Sequence, residues 1–224
     1  MGGVSRRQAL AGFGGVSLGA LLAACEGDDE PRSQATTEST STEFDGARTC
    51  RQTAELTEGP FYLDVDRVRR DIREDRDGVK LRLGVRVRDA DECEPLENAL
   101  VDIWHCDAEG SYSEPEETYL RGLQVTNRKG IVEFTTIYPG WYPGRTVHVH
   151  AKVHLDKRTV LTTQLYFDDA FSARAYASDS AYPPESNRDA FNASDPLYRK
   201  DLELTLSSDG DAYRGLITLD VARA

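Results

Sequence analysis

The sequence predicts an all-β protein, a two-sheet β-sandwich with long loops and little helix, and three observations carry that expectation. Val79 to Arg88 alternates strictly, which puts Val79, Leu81, Leu83, Val85 and Val87 on one face of a half-buried strand. Short apolar runs recur along the chain, separated by clusters of Gly, Pro, Asn, Asp and Ser. No stretch carries the long apolar stripe of an amphipathic helix, so these runs have to bury one another as packed sheets.

Taken in order, Thr53 to Tyr62 contains Gly-Pro followed by two aromatics and reads as a loop. Asp64 to Asp77 alternates Arg and Asp without an apolar stripe, and is expected to be an exposed loop with about one helical turn. After the Val79 strand, Asp89 to Asn98 turns the chain into a second strand, Ala99 to His105, which ends in the polar loop Cys106 to Ser113. Tyr119–Thr126 and Gly130–Ile137 are expected to pair as a hairpin across Asn127-Arg128-Lys129-Gly130. Residues 145–153 and Arg158 to Phe167 read as two more strands. Phe171 to Tyr198 is rich in Ser, Pro, Asn and Asp and reads as a long wrapping loop with one or two helical turns. Leu202–Leu206 and Tyr213–Val221 close the domain, joined across Ser207-Ser208-Asp209-Gly210.

The N-terminus reads as targeting sequence rather than fold. Ser5-Arg6-Arg7 precedes a short apolar run, Ala9 to Ala24, too short for a permanent span. It ends in Leu22-Ala23-Ala24-Cys25, which resembles a bacterial lipobox with Cys25 as the lipidated residue. Residues 1–25 are therefore expected to be a twin-arginine lipoprotein-type signal and 26–48 a disordered polar tether. Residues 49–224 remain for one domain with a full core. Export predicts a cell-surface or periplasmic lipoprotein, or a secreted protein, touching the membrane only through that lipid. The net charge of −12 argues against nucleic acid or an anionic bilayer as a partner. With Cys25 set aside, Cys50, Cys93 and Cys106 remain; Cys50 with Cys93 is the favoured disulfide, because both lie in turn-like polar sequence.

The chemistry concentrates between Tyr138 and His150. On a strand, His148 and His150 project from one face, a spacing suited to two metal ligands. Pro139-Gly140-Trp141-Tyr142-Pro143-Gly144 is dense in turn formers and can return Tyr142 to that face, beside Arg145. Tyr112 lies at the end of an earlier strand. Two neutral imidazoles and two phenolates suit a ferric ion, which binds tyrosine ionised at neutral pH. His154 is roughly 13 Å farther along an extended strand, too far for the same ion. His105, next to Trp104, is expected to be structural.

Five stretches together, Thr57-Glu58-Gly59-Pro60-Phe61-Tyr62, Trp104 to Tyr112, Pro139-Gly140-Trp141-Tyr142-Pro143, His148-Val149-His150 and Thr163-Gln164-Leu165-Tyr166-Phe167, resemble the intradiol ring-cleavage dioxygenases. The order matches that family from about Cys50 onward, and the chain looks most like its exported single-domain branch. The resemblance implies a prealbumin-like sandwich, Fe(III) as cofactor, and a small aromatic diol and O2 as substrates, giving cis,cis-muconate-type products. It implies Tyr112, Tyr142, His148 and His150 as ligands, with Tyr142 the one that leaves and takes a proton when the diol binds. Arg145 and Gln164 match residues beside the bound ring, and Gly59, Pro60 and Tyr62 match the loop lining the substrate pocket. The segment from Tyr142 to His148 is shorter than in the cytoplasmic relatives, so a more open pocket is expected. A copper or zinc redox protein and a non-catalytic binding module are the alternatives. With four histidines in the whole chain, the former is poorly supplied.

Overall fold

The computed structural model describes Phe44, residues 49–65 and residues 67–223. The expected signal at 1–25, with Cys25, lies outside the described residues, as does most of the expected tether at 26–48. Phe44, inside that tether, is nonetheless buried against Ile131 and Leu216.

Among the described residues eight strands form two four-stranded sheets. They are β1 (Lys80–Asp89), β2 (Leu100–Trp104), β3 (Arg121–Val125), β4 (Ile131–Ile137), β5 (His148–Leu155), β6 (Arg158–Tyr166), β7 (Thr205–Asp209) and β8 (Ala212–Val221). One sheet has the order β4-β1-β8-β7 and the other β3-β2-β5-β6. All pairings are antiparallel except β1 with β8. Alternation decides which side faces the core. Leu81, Leu83, Val85 and Val87 of β1 meet Val101 and Ile103 of β2 and Val149, Ala151 and Val153 of β5 in one apolar cluster. His148, His150 and Lys152 therefore point to the opposite face of their sheet, where loops rather than the second sheet cover them.

Several expectations change in the folded chain. β3 and β4 do not form a hairpin, because they belong to different sheets. The turn itself is present, with Asn127 Oδ1 accepting the Lys129 and Ile131 amides at 2.9 and 3.1 Å. It is an arch, and side chains upstream explain why. Thr126 Oγ1 donates to Leu96 O at 2.6 Å and accepts from Ala99 N at 2.9 Å, holding one end at β2. Gly130 O accepts from Val87 N at 2.8 Å, delivering the other end to β1. The turn between β7 and β8 is Gly210-Asp211, so Ser207 to Asp209 are strand.

Among its described residues the Arg- and Asp-rich segment forms no helical turn. Arg67 to Ile72 is a strap bridging Val68 to Leu123 of β3 and Asp71 to Thr135 of β4. Its amides and carbonyls exchange hydrogen bonds with both strands, and Ile72 is fully buried beneath it. The long loop after β6 carries one helix, α1 (Asp169–Ala177), whose Asp168 side chain caps the Phe171 amide. The expected disulfide joins Cys50 to Cys93, and Cys106 is a buried free thiol. Among the described residues no helix is long and apolar enough to cross a membrane.

Candidate metal centre

The register of the second sheet lines up Trp104, His150 and Gln164 across β2, β5 and β6, and His148 opposite Tyr166. Cross-strand partners share a face, so this row is the floor of the site. Trp104 lies flat on the His150 ring, centroids 4.9 Å apart and planes 7° from parallel.

Two loops bring the tyrosines over this floor. Asp107 shapes the first: its Oδ1 accepts the amides of Glu109 and Ser111 at 3.0 and 2.9 Å, which presents Tyr112 inward. The second carries Tyr142 into a turn closed by Arg145 N on Tyr142 O at 3.3 Å, with Pro143 and Gly144 at its centre. Gly144 has φ +81, the left-handed value required at the third position of a type II turn after proline. A side chain at Gly144 would meet nothing, so the glycine is there for its backbone. At Gly110 the reason is space as well, since a Cβ would collide with the Trp141 carbonyl. Gly140 N also donates to Asp107 O at 3.0 Å, so the two tyrosine loops are fitted together backbone to backbone.

The four expected ligands converge. Tyr142 Oη is 3.2 Å from His148 Nε2, and His148 Nε2 is 3.1 Å from His150 Nε2. The Tyr112 ring lies 5.8 Å from that of Tyr142 and 6.1 Å from that of His150, centre to centre. His148 Nδ1 donates to Thr146 O at 2.7 Å, which leaves a lone pair on Nε2. His150 Nδ1 and Tyr112 Oη are buried without a hydrogen-bond partner. An orphaned buried polar atom costs about 1–3 kcal/mol, so the Tyr112 oxygen together with the two facing imidazole Nε2 atoms describes a site shaped for a cation.

The electrostatics agree. Burial, then Arg145, lowers His148 to about 4, and burial with His148 and Arg145 nearby holds His150 well below its ordinary value, so both rings are neutral ligands at pH 7. Burial pushes the Tyr112 phenol well above its ordinary value and Tyr142 upward as well. Neither ionises readily without a cation at its oxygen. Among the described residues no three His, Cys, Asp or Glu side chains gather, so a metal here has to use the phenols. The N2O2 donor set fits ferric iron.

Arg145 and Gln164 sit beside this cluster, but each is already engaged. Arg145 Nη2 donates to Gln164 Oε1 at 2.5 Å, and Gln164 Nε2 donates to Thr57 O at 2.9 Å. Arg145 Nε donates to Asp195 Oδ2 at 2.8 Å. Arg145 lies just before β5 rather than within it. Gly59 is close-packed on His150, where an added Cβ would stand 3.3 Å from Cε1.

Tyr62 goes elsewhere than expected. It packs on Trp104 and lines a neighbouring cavity of about 630 Å³ with Asp102, Lys152 and His154. Phe61 takes the place facing the ligands, stacked on Tyr112 at 4.4 Å and edge-on to Tyr142 at 6.1 Å. The Gly59 turn, φ +70, sets which of the two adjacent aromatics points inward. His154 bonds Thr159 Oγ1, apart from the cluster, and His105 is buried between Cys106 O and Thr136 Oγ1 as a structural residue. Phe61, Trp104, Asp195 and Tyr166, whose Oη is 3.0 Å from Gln164 Oε1, were not expected at the site.

A sandwich with two phenols and two neutral imidazoles gathered on the outer face of one sheet presents an N2O2 donor set for a single metal ion. The family model described as dioxygenase matches residues 57–181, and the chain belongs to that family, the intradiol ring-cleavage dioxygenases. The family is generally Fe(III)-dependent. Chlorocatechol 1,2-dioxygenase of Rhodococcus opacus is 28% identical over 166 residues, 58% of this chain and 64% of the relative. Catechol 1,2-dioxygenase of Acinetobacter baylyi is 30% identical over 159 residues, 54% of this chain and 51% of the relative. The chain thus spans between half and two-thirds of these curated relatives. The solved intradiol ring-cleavage dioxygenase of Tetranychus urticae superimposes with TM-score 0.71 at 31% identity, covering 77% of this chain and 95% of its own. The dioxygenase domain of a carbohydrate-binding fusion from Streptomyces sp. SirexAA-E gives 0.64 at 30% identity, covering 78% and 100%.

Proposed function

We propose that this protein is an Fe(III) intradiol dioxygenase that cleaves catechol-type diols between the two hydroxylated carbons, using O2 and yielding cis,cis-muconate-type acids. The observation that carries the reading is the convergence of Tyr112, Tyr142, His148 and His150 on one point, with neutral imidazoles and an unpartnered phenol. Ferric iron held by these four residues would supply a Lewis acid that binds the diol as a dianion and prepares its ring for O2.

The chain's own residues do the rest. Tyr142, the less buried of the two tyrosines, would hold its oxygen, ionised when the metal is bound, where it can take a proton from an incoming hydroxyl and swing aside as the neutral phenol. Tyr112 and the two histidines stay, fixed by Trp104, Phe61 and the Thr146 carbonyl. Arg145 sets a fixed positive charge beside the place of the ring, held by Asp195 and Gln164, and so favours a ring gathering negative charge. The Thr57–Tyr62 loop covers His150 and limits water there.

An oxygen electrode with the iron-loaded protein and catechol tests the reading, with muconate followed by its ultraviolet absorbance. Oxygen uptake with muconate formation is the expected result; a yellow semialdehyde, the mark of cleavage outside the diol, would overturn it. For cellular placement we infer twin-arginine export with lipid on Cys25, supported by the Cys50–Cys93 disulfide, which suits an oxidising compartment. Membrane fractionation of cells carrying the Cys25→Ala chain checks this, and retention of that variant with the membranes would refute it.

A further inference from the structure

Arg121 on β3 is 2% exposed, and its side-chain hydrogen bonds all end on neutral oxygens. A buried guanidinium without a bonded carboxylate is costly, and the cost has to be offset by what it holds. Its Nη1 donates to Phe61 O at 2.7 Å, its Nε to Ser113 Oγ at 2.6 Å and its Nη2 to Ser113 O at 3.0 Å. Ser113 follows Tyr112, and Phe61 is the residue whose ring lies 10° from parallel on the Tyr112 phenol. One rigid fork therefore ties two loops that are 52 residues apart, and the aromatic pair between them is the result.

We propose that Arg121 is a positioning residue for the ring-cleavage reaction: it clamps the Phe61 loop to the Tyr112 loop, which holds Phe61 flat on the Tyr112 phenol, fixes the bearing of the phenol oxygen, and keeps an aromatic wall on the substrate side. The proposal rests on the functional reading above. The other end of the Phe61 loop is secured independently, by Gln164 Nε2 on Thr57 O at 2.9 Å and by Lys152 Nζ on Glu58 Oε2 at 2.6 Å. Loss of Arg121 thus frees the Phe61 end alone. A lysine keeps the charge but not the fork, so it reaches one loop and not both.

Hydrogen exchange on the metal-free protein separates this role from a general contribution to folding. In Arg121→Leu, amides 61–63 and 111–114 are expected to exchange about tenfold faster, while those of β1 and β8 keep their wild-type rates. Arg121→Lys should show the same pattern at smaller amplitude. Ser113→Ala, which leaves the rest of the fork, serves if Arg121→Leu does not fold, and should speed 111–114 several-fold. In the iron-loaded variants the tyrosinate-to-iron absorption maximum shifts from wild type, and KM for catechol rises by a larger factor than kcat falls. Unchanged protection in both loops, a uniform rise across the domain, or a wild-type absorption maximum in Arg121→Leu would overturn the proposal. Failure of the wild-type protein to bind iron or consume oxygen would instead defeat the dioxygenase reading, and the exchange data would still decide the clamp.

Discussion

Replacing Asp195 by Asn probes how the site keeps Arg145 in place. The Asp195 side chain is fully buried and takes three donors: Arg145 Nε at 2.8 Å and Thr146 N at 2.9 Å on Oδ2, and Leu197 N at 2.8 Å on Oδ1. Burial alone would lift this carboxyl, but the Leu197 and Thr146 amides and Arg145 outweigh it and hold it below the ordinary carboxylate value. Asparagine removes the charge and turns one oxygen into a donor. Whichever way the amide faces, it meets N–H groups, those of Arg145 and Thr146 or that of Leu197. A hydrogen bond to a charged partner contributes about 1.5–3 kcal/mol, so losing one and weakening the others should cost about 2–3 kcal/mol of stability. Arg145 loses its charged partner and is held chiefly by Gln164, and a displacement of about 1 Å at the reacting ring lowers turnover about 100-fold. Urea unfolding of the metal-free protein and oxygen uptake with catechol measure the two effects. A loss below about 0.5 kcal/mol, half a typical net hydrogen bond, together with unchanged kcat, would refute Asp195 as the anchor.

Three further outcomes follow from the same geometry. Tyr112→Phe should lose most of the tyrosinate colour and bind iron weakly, whereas Tyr142→Phe should keep iron and lose roughly 10²–10⁴ in turnover; equal colour or equal rates in the two variants, read by visible absorption and oxygen uptake, would contradict the division of roles. Burial lowers His105 and His148 to about 4 and holds His150 well below its ordinary value near 6.5, so unfolding takes up protons and the metal-free protein loses stability as pH falls from about 6.5 toward 4. Asp102, lifted by burial to about 7, acts in the opposite direction with one proton against those of four histidines, His154 being lowered as well, so Asp102→Asn should steepen the fall; a urea midpoint that stays level with pH would count against it. Cys50→Ser opens a loop of 43 residues and should cost about 2–4 kcal/mol, checked by urea unfolding against the oxidised wild-type chain.

What the sequence disclosed was whatever depended on short-range pattern. Alternation from Val79 to Val87 located β1 within a residue, and the spacing of His148 and His150 put both rings on one face. The remainder turned on partners distant in the chain. Asn127 to Gly130 is good turn sequence for a hairpin or an arch alike, and only the anchoring of Thr126 at Leu96 and Ala99 chooses the arch. Asp195 is 50 residues from Arg145 and nothing local marks it. Phe61 and Tyr62 are adjacent aromatics, and which one faces Tyr112 is set by the Gly59 turn and the Arg121 bond to Phe61 O. The strap escaped notice because, of its residues, only Ile72 is buried.

β3 and β4 are outermost in their sheets, and an outermost strand offers bare amides and carbonyls to any neighbouring chain. The strap from Arg67 to Ile72 occupies those positions from within the same molecule, and its outward side presents Arg67, Arg70 and Asp71 to water. A second copy approaching either strand finds the Leu123 and Thr135 positions already paired and a line of charges in front of them. Strand addition at these two edges is hindered by six residues that look, in the sequence, like a charged spacer.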